Sequence, residues 1–170
     1  MADGPAYHAF LHGRNGLDVS LQAITEDNFE DFMDMELPEH QRDLLASNAY
    51  SIAQSRFYPD YIARGIVCGG KPAGFLLYDR CAGGVAGDYA IYRFMVDHAR
   101  QGRGIGRRAM AALLAELRQR PDLRRITICY HTHNEHARAF YAGFGFVETG
   151  IDERGEMVAE LGAAQPGAAA

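Results

Sequence analysis

The feature that most limits what this chain can fold into is a glycine-rich turn between a strand pattern and a helix pattern. Asp88–Asp97 is dense in aromatic and branched residues, which predicts a strand. The turn Gln101-Gly102-Arg103-Gly104-Ile105-Gly106-Arg107 follows, and an amphipathic helix is predicted over 104–119. Glycines let the backbone approach a ligand, and free N–H groups at a helix N-terminus bind phosphate. This order therefore predicts a phosphate-binding turn, to which the arginines add charge-assisted hydrogen bonds.

Three kinds of phosphate-binding loop compete for this segment. A P-loop requires a lysine that is absent here, and a dinucleotide-binding fingerprint requires a third glycine where the chain has Arg107. The third kind is the turn that binds the pyrophosphate of an acyl-CoA. The spacing Gln101-x-x-Gly104-x-Gly106 resembles the [QR]-x-x-G-x-[GA] signature of the Gcn5-related N-acetyltransferase (GNAT) superfamily. A plain glycine turn is the alternative, and the flanking strand, helix and arginines argue against it.

A second motif, further along the chain, resembles the same family. Asn134-Glu135-His136-Ala137-Arg138-Ala139-Phe140-Tyr141, followed by Gly143-Phe144-Gly145-Phe146, is similar to the family pattern N-x-x-A-x-x-[FL]-Y-x-x-x-G-F. The resemblance covers about 61–160. It implies an α/β fold with a central mixed, mostly antiparallel sheet of about six to seven strands and helices on both faces. It also implies an N-acetyltransferase that uses acetyl-CoA and no metal.

The resemblance implies a role for each matching residue. The backbone of Phe94-Met95-Val96 is expected to pair with the pantetheine arm of acetyl-CoA, and the turn 101–107 is expected to hold its pyrophosphate. Asn134 is expected to bond the pantetheine arm. Tyr141 is expected to lie beside the sulfur as the general acid, although its place on the apolar stripe of its helix also fits a core aromatic.

The general base is not assigned by the resemblance. Many family members have a glutamate two residues before the position of Phe94, where this chain has Tyr92. Glu36, Glu39, His131 or an ordered water are the candidates for that role. The cluster His131, His133 and His136 has no cysteine or carboxylate ligand pattern beside it, so a pocket-lining role for His131 is favoured over a metal site.

Charge and the N-terminal helices indicate the acceptor. Eight acids and one base lie in 26–43, within a chain of net charge -5. Asp27, Glu30, Asp31 and Asp34 share one face of a helix and predict a solvated surface, which leaves Glu36 and Glu39 as the better ligands for a cation. Gln41–Ser55 resembles the bacterial diamine and polyamine branch of the family. The substrate prediction is a polyamine or diamine, with Glu36, Glu39, Tyr92 and His131 in the acceptor site.

Other acceptors and another class of function stay open. An aminoglycoside, an amino acid or a peptide amine is an alternative substrate, and a non-catalytic acyl-CoA sensor is an alternative to the enzyme. The net charge argues against a nucleic-acid-binding surface, and no apolar run approaches the ~20 residues that span a membrane. Three cysteines without a C-x-x-C pair predict a reducing, cytoplasmic setting. A homodimer is the family's habit.

The pattern along the chain predicts one acetyltransferase domain over 17–161, with a flexible leader at 1–16 and a flexible tail at 162–170. The predicted order of elements is β-α-α-β-β-β-α-β-α-β-β. Thr25 is predicted to cap a first helix over about Asp27–Met35, and a second helix is predicted to start after Pro38 and to run to about Ser55. Gly69-Gly70-Lys71-Pro72 is predicted to join two strands as a hairpin.

Overall fold

The computed structural model describes residues 17–163. The predicted leader at 1–16 lies outside the described residues, as does 164–170 of the predicted tail. Gly162, the first residue of that tail, belongs instead to the last strand, since strand pairing joins it to Arg125.

Within residues 17–163, seven strands and four α-helices follow the predicted order. The strands are β1 Val19–Ala23, β2 Tyr61–Cys68, β3 Lys71–Asp79, β4 Asp88–Val96, β5 Arg125–His131, β6 Val147–Ile151 and β7 Glu156–Gly162. The helices are α1 Phe29–Met33, α2 Asn48–Phe57, α3 Ile105–Leu117 and α4 Glu135–Ala142. The described strands form one sheet in the order β1-β2-β3-β4-β5-β7-β6, and among their pairs only β4–β5 is parallel. The predicted fold class is confirmed.

The sheet has an apolar core on each face. Helices α3 and α4 cover one face, where the predicted α3 stripe Met110, Leu113, Leu114 and Leu117 is buried. Helices α1 and α2 cover the other face. Phe32 of α1 lies directly over Gly65 of β2, in the space that a side chain at residue 65 would need. A glycine in this strand therefore seats the first helix on the sheet.

The first two helices are shorter than predicted. Asn28 stands at the N-cap of α1, where Thr25 was expected, and α1 begins only at Phe29. The reason is local: Asn28 accepts a hydrogen bond from the Thr25 N–H and donates to the Ala23 carbonyl, which holds the preceding residues in a turn. The four acids predicted to face solvent are exposed, as expected.

The second predicted helix is broken into two pieces. A 3-10 helix covers Glu39–Leu44, and α2 begins separately at Asn48. Ser47 caps α2 by accepting a hydrogen bond from the Tyr50 N–H. The buried Asn48 side chain donates to the Phe32 carbonyl at 2.9 Å. A new helix start and a tertiary bond to α1 therefore interrupt what the sequence pattern indicates as continuous.

Candidate active site

Strands β4 and β5 pair along only part of their length. Their register runs from Asp88 opposite Arg125 to Ile91 opposite Ile128. Beyond these residues β4 continues to Val96 and β5 continues to His131 without pairing to each other. The sheet therefore opens between the two strands, and the second half of β4 has an edge that an extended ligand can occupy.

A β-bulge marks the point where this gap begins. On β3, Tyr78 pairs with Ile91 and Leu77 pairs with Arg93, so Tyr92 is the extra residue. Ile91 and Phe94 consequently pack into the same core although they are three residues apart. A regular strand would place them on opposite faces. Tyr92 packs on the other face, toward α1 and α2.

The backbone of β4 beyond the bulge points alternately into the gap and toward β3. The Asp97 N–H donates to the Ala73 carbonyl of the β3 segment at 2.9 Å. Alternate residues of an antiparallel strand point the same way, so Met95 also faces β3, and its carbonyl lies against Gly74. Phe94 and Val96 therefore direct their N–H groups into the gap. Of the three residues predicted to pair with the pantetheine arm, these two direct their backbone groups into the gap.

The glycine turn has the backbone geometry that its sequence indicates. Gly102 and Gly104 have φ of 74° and 78°, in the left-handed region that favours glycine. Gly104 is the N-cap of α3, and no side chain caps this helix end. The first N–H groups of a helix have no partner within the helix, so those of Ile105, Gly106 and Arg107 are available to an anion. The turn itself is exposed from Gly102 to Gly104.

Packing holds this turn against the end of β4. Ile105 is buried at the start of α3. A Cβ on Gly106 would lie 3.4 Å from a methyl group of Val96, so a larger residue would press α3 away from the strand. Gln101 donates from Nε2 to the Val96 carbonyl at 3.1 Å and to Gln41 Oε1 at 3.1 Å. Its side chain therefore ties the turn to β4 and to the 3-10 helix.

Tyr141 lies on the buried side of α4, as predicted for its stripe. Its side chain is 8% exposed and packs against Tyr130, with ring centroids 5.7 Å apart, and against Phe146. Burial and the neighbouring Tyr130 hydroxyl raise the pKa of Tyr141 above its usual value. The phenol is therefore protonated at neutral pH, which is the form that a general acid requires.

A hydrogen-bond network that the sequence analysis missed supports Tyr141. The Tyr130 hydroxyl donates to Glu148 Oε1 at 2.9 Å, and Arg138 Nε donates to the same oxygen at 2.7 Å. These bonds lower the pKa of Glu148, with Arg138 as the larger cause. Because Tyr130 stacks on Tyr141, the carboxylate on β6 fixes the surroundings of the phenol. No local pattern could reveal this contact, since it joins three separate elements.

The structure places Asn134 at the N-terminus of α4. Its Oδ1 accepts a hydrogen bond from the Ala137 N–H at 3.0 Å, so Asn134 is the cap of this helix. The Nδ2 amide is the group of this side chain that is left to meet a ligand. Asn134 of the second motif thus stabilises the start of α4, in addition to the ligand contact that the resemblance implies.

His131 lies at the end of β5, across the gap from β4. Along β5 the residues Ile126, Ile128 and Tyr130 pack toward α3 and α4, so His131 faces the same side as Tyr92. Its ring stacks on His133, and its Nδ1 lies 3.9 Å from a Glu156 oxygen. Within the described part of the chain, no three His, Cys, Asp or Glu side chains lie close enough to hold a metal ion.

The two predicted cation ligands lie away from Tyr92. Glu36 is bound through its backbone to the end of β4: its N–H donates to Asp97 Oδ2 and its carbonyl accepts from the His98 N–H. Its exposed carboxylate pairs with Arg42 at 3.3 Å, and Glu39 is also exposed. Asp97 lies five positions after Tyr92 along this extended segment, or roughly 16 Å away. The acceptor candidates therefore do not form one cluster.

A match to a known family decides what this arrangement is. Residues 21–146 match the sequence model of the acetyltransferase (GNAT) family. The chain belongs to the GNAT family. It is an acetyl-CoA-dependent N-acetyltransferase, and the open gap and the glycine turn lie inside the matched segment. Among the described residues, no helix has both the length and the apolar character needed to cross a membrane.

Within the GNAT family, the chain is similar to two acetyltransferases of Bacillus subtilis. The chain is 27% identical over 152 residues to the spermine/spermidine N(1)-acetyltransferase of Bacillus subtilis strain 168, which covers 85% of this chain and 100% of that protein. A probable spermine N(1)-acetyltransferase of Bacillus subtilis subsp. natto matches with the same identity and coverage.

Solved GNAT structures share the fold. The GNAT domain of S. lividans PAT superposes with a TM-score of 0.75 at 21% identity, covering 94% of this chain and 99% of that chain. An aminoglycoside acetyltransferase crystallised with coenzyme A has a TM-score of 0.68 at 18% identity, covering 85% of this chain and 94% of that chain. The PaiA N-acetyltransferase of Thermoplasma acidophilum, also crystallised with coenzyme A, has a TM-score of 0.63 at 13% identity, covering 85% and 98% of the respective chains.

Proposed function

We propose that this GNAT enzyme transfers the acetyl group of acetyl-CoA to a primary amine of a polyamine or diamine, with spermidine and spermine as the foremost substrates. The observation that carries the donor half of the proposal is the open edge of β4 ending in an uncapped, glycine-rich helix start. The acceptor half is supported by the two Bacillus subtilis relatives, whose names specify spermine or spermidine.

The residues around the gap divide the donor between them. Phe94 and Val96 supply backbone groups to the pantetheine arm, and Asn134 supplies its side-chain amide. The turn Gln101–Arg107 binds the pyrophosphate through its N–H groups and the positive end of the α3 dipole. The guanidinium of Arg107 lies 5.5 Å over the Phe144 ring, which keeps this cation beside the turn.

The reaction needs two proton transfers. The neutral amine attacks the thioester carbonyl, and a backbone N–H of the β4 segment Phe94–Val96 stabilises the oxyanion. As the C–S bond breaks, Tyr141 gives its proton to the sulfur and recovers it from water. The amine must lose a proton as well, and freeing an alkylammonium at neutral pH costs about 4–5 kcal/mol.

Charge supports a polycationic acceptor. The chain has a net charge of -5, and the acids of α1 with Glu36 and Glu39 form an exposed acidic end. Such a field attracts a cation and raises its rate of encounter. Glu36 and Glu39 would hold the remote ammonium of an extended substrate, while the reacting amine reaches the gap near Tyr92 and His131.

Release of the CoA thiol across a panel of amines tests the substrate. With saturating acetyl-CoA, we expect kcat/KM to be highest for spermidine, spermine or a shorter diamine. Aminoglycosides, amino acids and a peptide with a free N-terminus complete the panel. Preference for one of these would refute the polyamine proposal and leave the acetyltransferase intact. Tight acetyl-CoA binding without turnover on any amine would favour a sensor.

The remaining proposals concern assembly and setting. We propose that 17–161 acts as one catalytic domain and that two copies pair through β6. This strand lies at the edge of the sheet with every residue exposed, including Val147 at 67% and Ile151 at 63%. Light scattering should then give twice the chain mass of 18.7 kDa.

The three free cysteines support a reducing, cytoplasmic setting.

A further inference from the structure

Two carboxylates are buried in the described part of the chain, and they are compensated differently. Asp88 is 4% exposed and pairs with Arg125 at 2.7 Å and with Arg124 at 3.9 Å. Asp79 is 5% exposed, and no described Arg, Lys or His lies within ion-pair distance of it. A buried charge is costly unless it is paired or hydrogen-bonded. Two arginines therefore compensate the buried charge of Asp88. Asp79 must be stabilised in another way.

Asp79 accepts two hydrogen bonds, one of them from a residue of β4. Its Oδ1 accepts from the Cys81 N–H at 2.8 Å, which fixes the carboxylate at the end of β3. Its Oδ2 accepts from the Tyr92 hydroxyl at 3.2 Å. Tyr92 is the bulge residue of β4, at the point where β4 and β5 separate. The Tyr92 side chain therefore joins a buried carboxylate to the strand position at which the gap begins.

Aromatic rings extend from Tyr92 toward the surface. The Tyr92 ring lies 5.2 Å from that of Tyr61, which stacks on Tyr58 at 4.8 Å. Tyr58 is 51% exposed. Aromatic faces attract alkylammonium groups, so this row suits the approach of an amine. The Tyr61 and Tyr92 rings pack on the α1–α2 side, opposite the side where α3 packs.

We infer that Tyr92 and Asp79 form the proton relay that removes the proton of the attacking amine. As the N–C bond forms, the nitrogen becomes positively charged and its N–H proton passes to the Tyr92 oxygen. The Tyr92 hydroxyl proton passes at the same time to Asp79 Oδ2, so the tyrosine stays neutral and Asp79 becomes a carboxylic acid. After product release the proton returns through the same hydroxyl to water. This inference rests on the proposed acetylation of an amine.

The surroundings of Tyr92 explain why a relay is needed. Burial raises the pKa of Tyr92, and Tyr61 on β2 and Asp79 on β3 raise it further. A tyrosine in this state is not a phenolate base, but its hydroxyl can accept one proton while giving up another. The one cation of its own strand beside it, Arg93, donates to the Tyr92 carbonyl at 2.7 Å.

Four single variants test the relay. Tyr92→Phe removes the hydroxyl, and Asp79→Asn removes the basic carboxylate. Tyr89→Phe and Asp88→Asn are the matched controls. Tyr89 lies on β4, like Tyr92, and its hydroxyl donates to Asp122 at 3.3 Å. Asp88 is a carboxylate as buried as Asp79. At pH 7, with saturating acetyl-CoA and the best amine of the panel, kcat should fall by ~10²-fold or more in the first two. The controls should stay within about twofold wherever they are folded.

Two readouts separate a relay from a packing defect. Because hydroxide and buffer replace a missing base, the deficit of Tyr92→Phe and Asp79→Asn should shrink as pH rises, whereas a packing defect is independent of pH. The double variant should be no slower than the slower single variant, since both remove one relay. A kcat within threefold of wild type, a deficit constant from pH 6.5 to 9.5, or multiplied losses would each overturn the relay. If the best amine is not a polyamine, the substrate proposal fails and the relay is judged on that amine.

Discussion

The proposed donor side and the proposed acceptor side of this enzyme are built in different ways. The donor side consists of the end of β4, the turn 101–107 and the start of α3, which are consecutive in the chain, together with α4. The acceptor side takes Glu36 from the loop after α1, Tyr61 from β2, Asp79 from β3 and His131 from β5. The first depends on local backbone geometry, whereas the second depends on how distant segments meet.

This difference explains why the two sides carry different amounts of information. A pyrophosphate needs N–H groups and glycines at fixed spacing, and these requirements produce a motif. An amine needs a carboxylate, an aromatic face or a proton acceptor, and any nearby element can supply these. We therefore expect donor-side substitutions to abolish activity with every amine. Acceptor-side substitutions should have a large effect where the residue transfers a proton and a small effect where it only attracts a charge.

The largest expected effect is on the donor turn. Gly104→Val places a branched side chain beside the N–H groups that we propose bind the pyrophosphate, at a residue with φ of 78°. Acetyl-CoA affinity measured by calorimetry should fall at least ~100-fold. Gly155→Val is the matched control, because Gly155 has φ of 82° and, like Gly104, open space around it, but lies in the β6–β7 turn. Equal acetyl-CoA affinity in both variants would exclude this turn as the pyrophosphate-binding site.

The next effect separates chemistry from packing at Tyr141. Tyr141→Phe keeps the ring that packs on Tyr130 and removes only the acid. We expect kcat to fall ~10²–10⁴-fold with acetyl-CoA affinity nearly unchanged. Tyr78→Phe, in the core at 1% exposure, should leave kcat unaltered. A Tyr141→Phe enzyme with wild-type single-turnover rate would return Tyr141 to the role of a core aromatic.

The smallest effect belongs to the exposed acids of the acceptor side. Glu36→Gln and Glu39→Gln should raise KM for spermidine a few-fold and leave KM for a monoamine of similar length nearly unchanged, because exposed charges contribute little. The same preference for the polyamine should weaken as ionic strength rises, since such charges are screened over ~8–10 Å. The change Asp27→Gln, at an exposed residue in the turn before α1, is the control. Equal KM changes for both amines would exclude these carboxylates as cation ligands.

Local features of this chain were predictable from the sequence, whereas contacts between distant segments were not. The strand–turn–helix unit and the stripe of α4 were predictable because each depends on residues close together in the chain. The late start of α1 and the break in the second predicted helix were not predictable, because the Asn28 and Asn48 side chains donate to the Ala23 and Phe32 carbonyls, and periodicity does not record such bonds. The predicted roles of the site residues stay predictions, and the variants above address them.

The sequence by itself determined the family, the donor turn and the order of the elements, because glycine spacing and apolar periodicity act over a few residues. Only the tertiary structure decided which backbone groups of β4 face the gap, through a bulge at Tyr92 and a register that ends at Ile91. It alone brought Glu148 to Tyr130 and Asp79 to Tyr92. Such contacts join residues 13 and 18 positions apart on different strands, and their geometry follows from strand pairing that no short motif records.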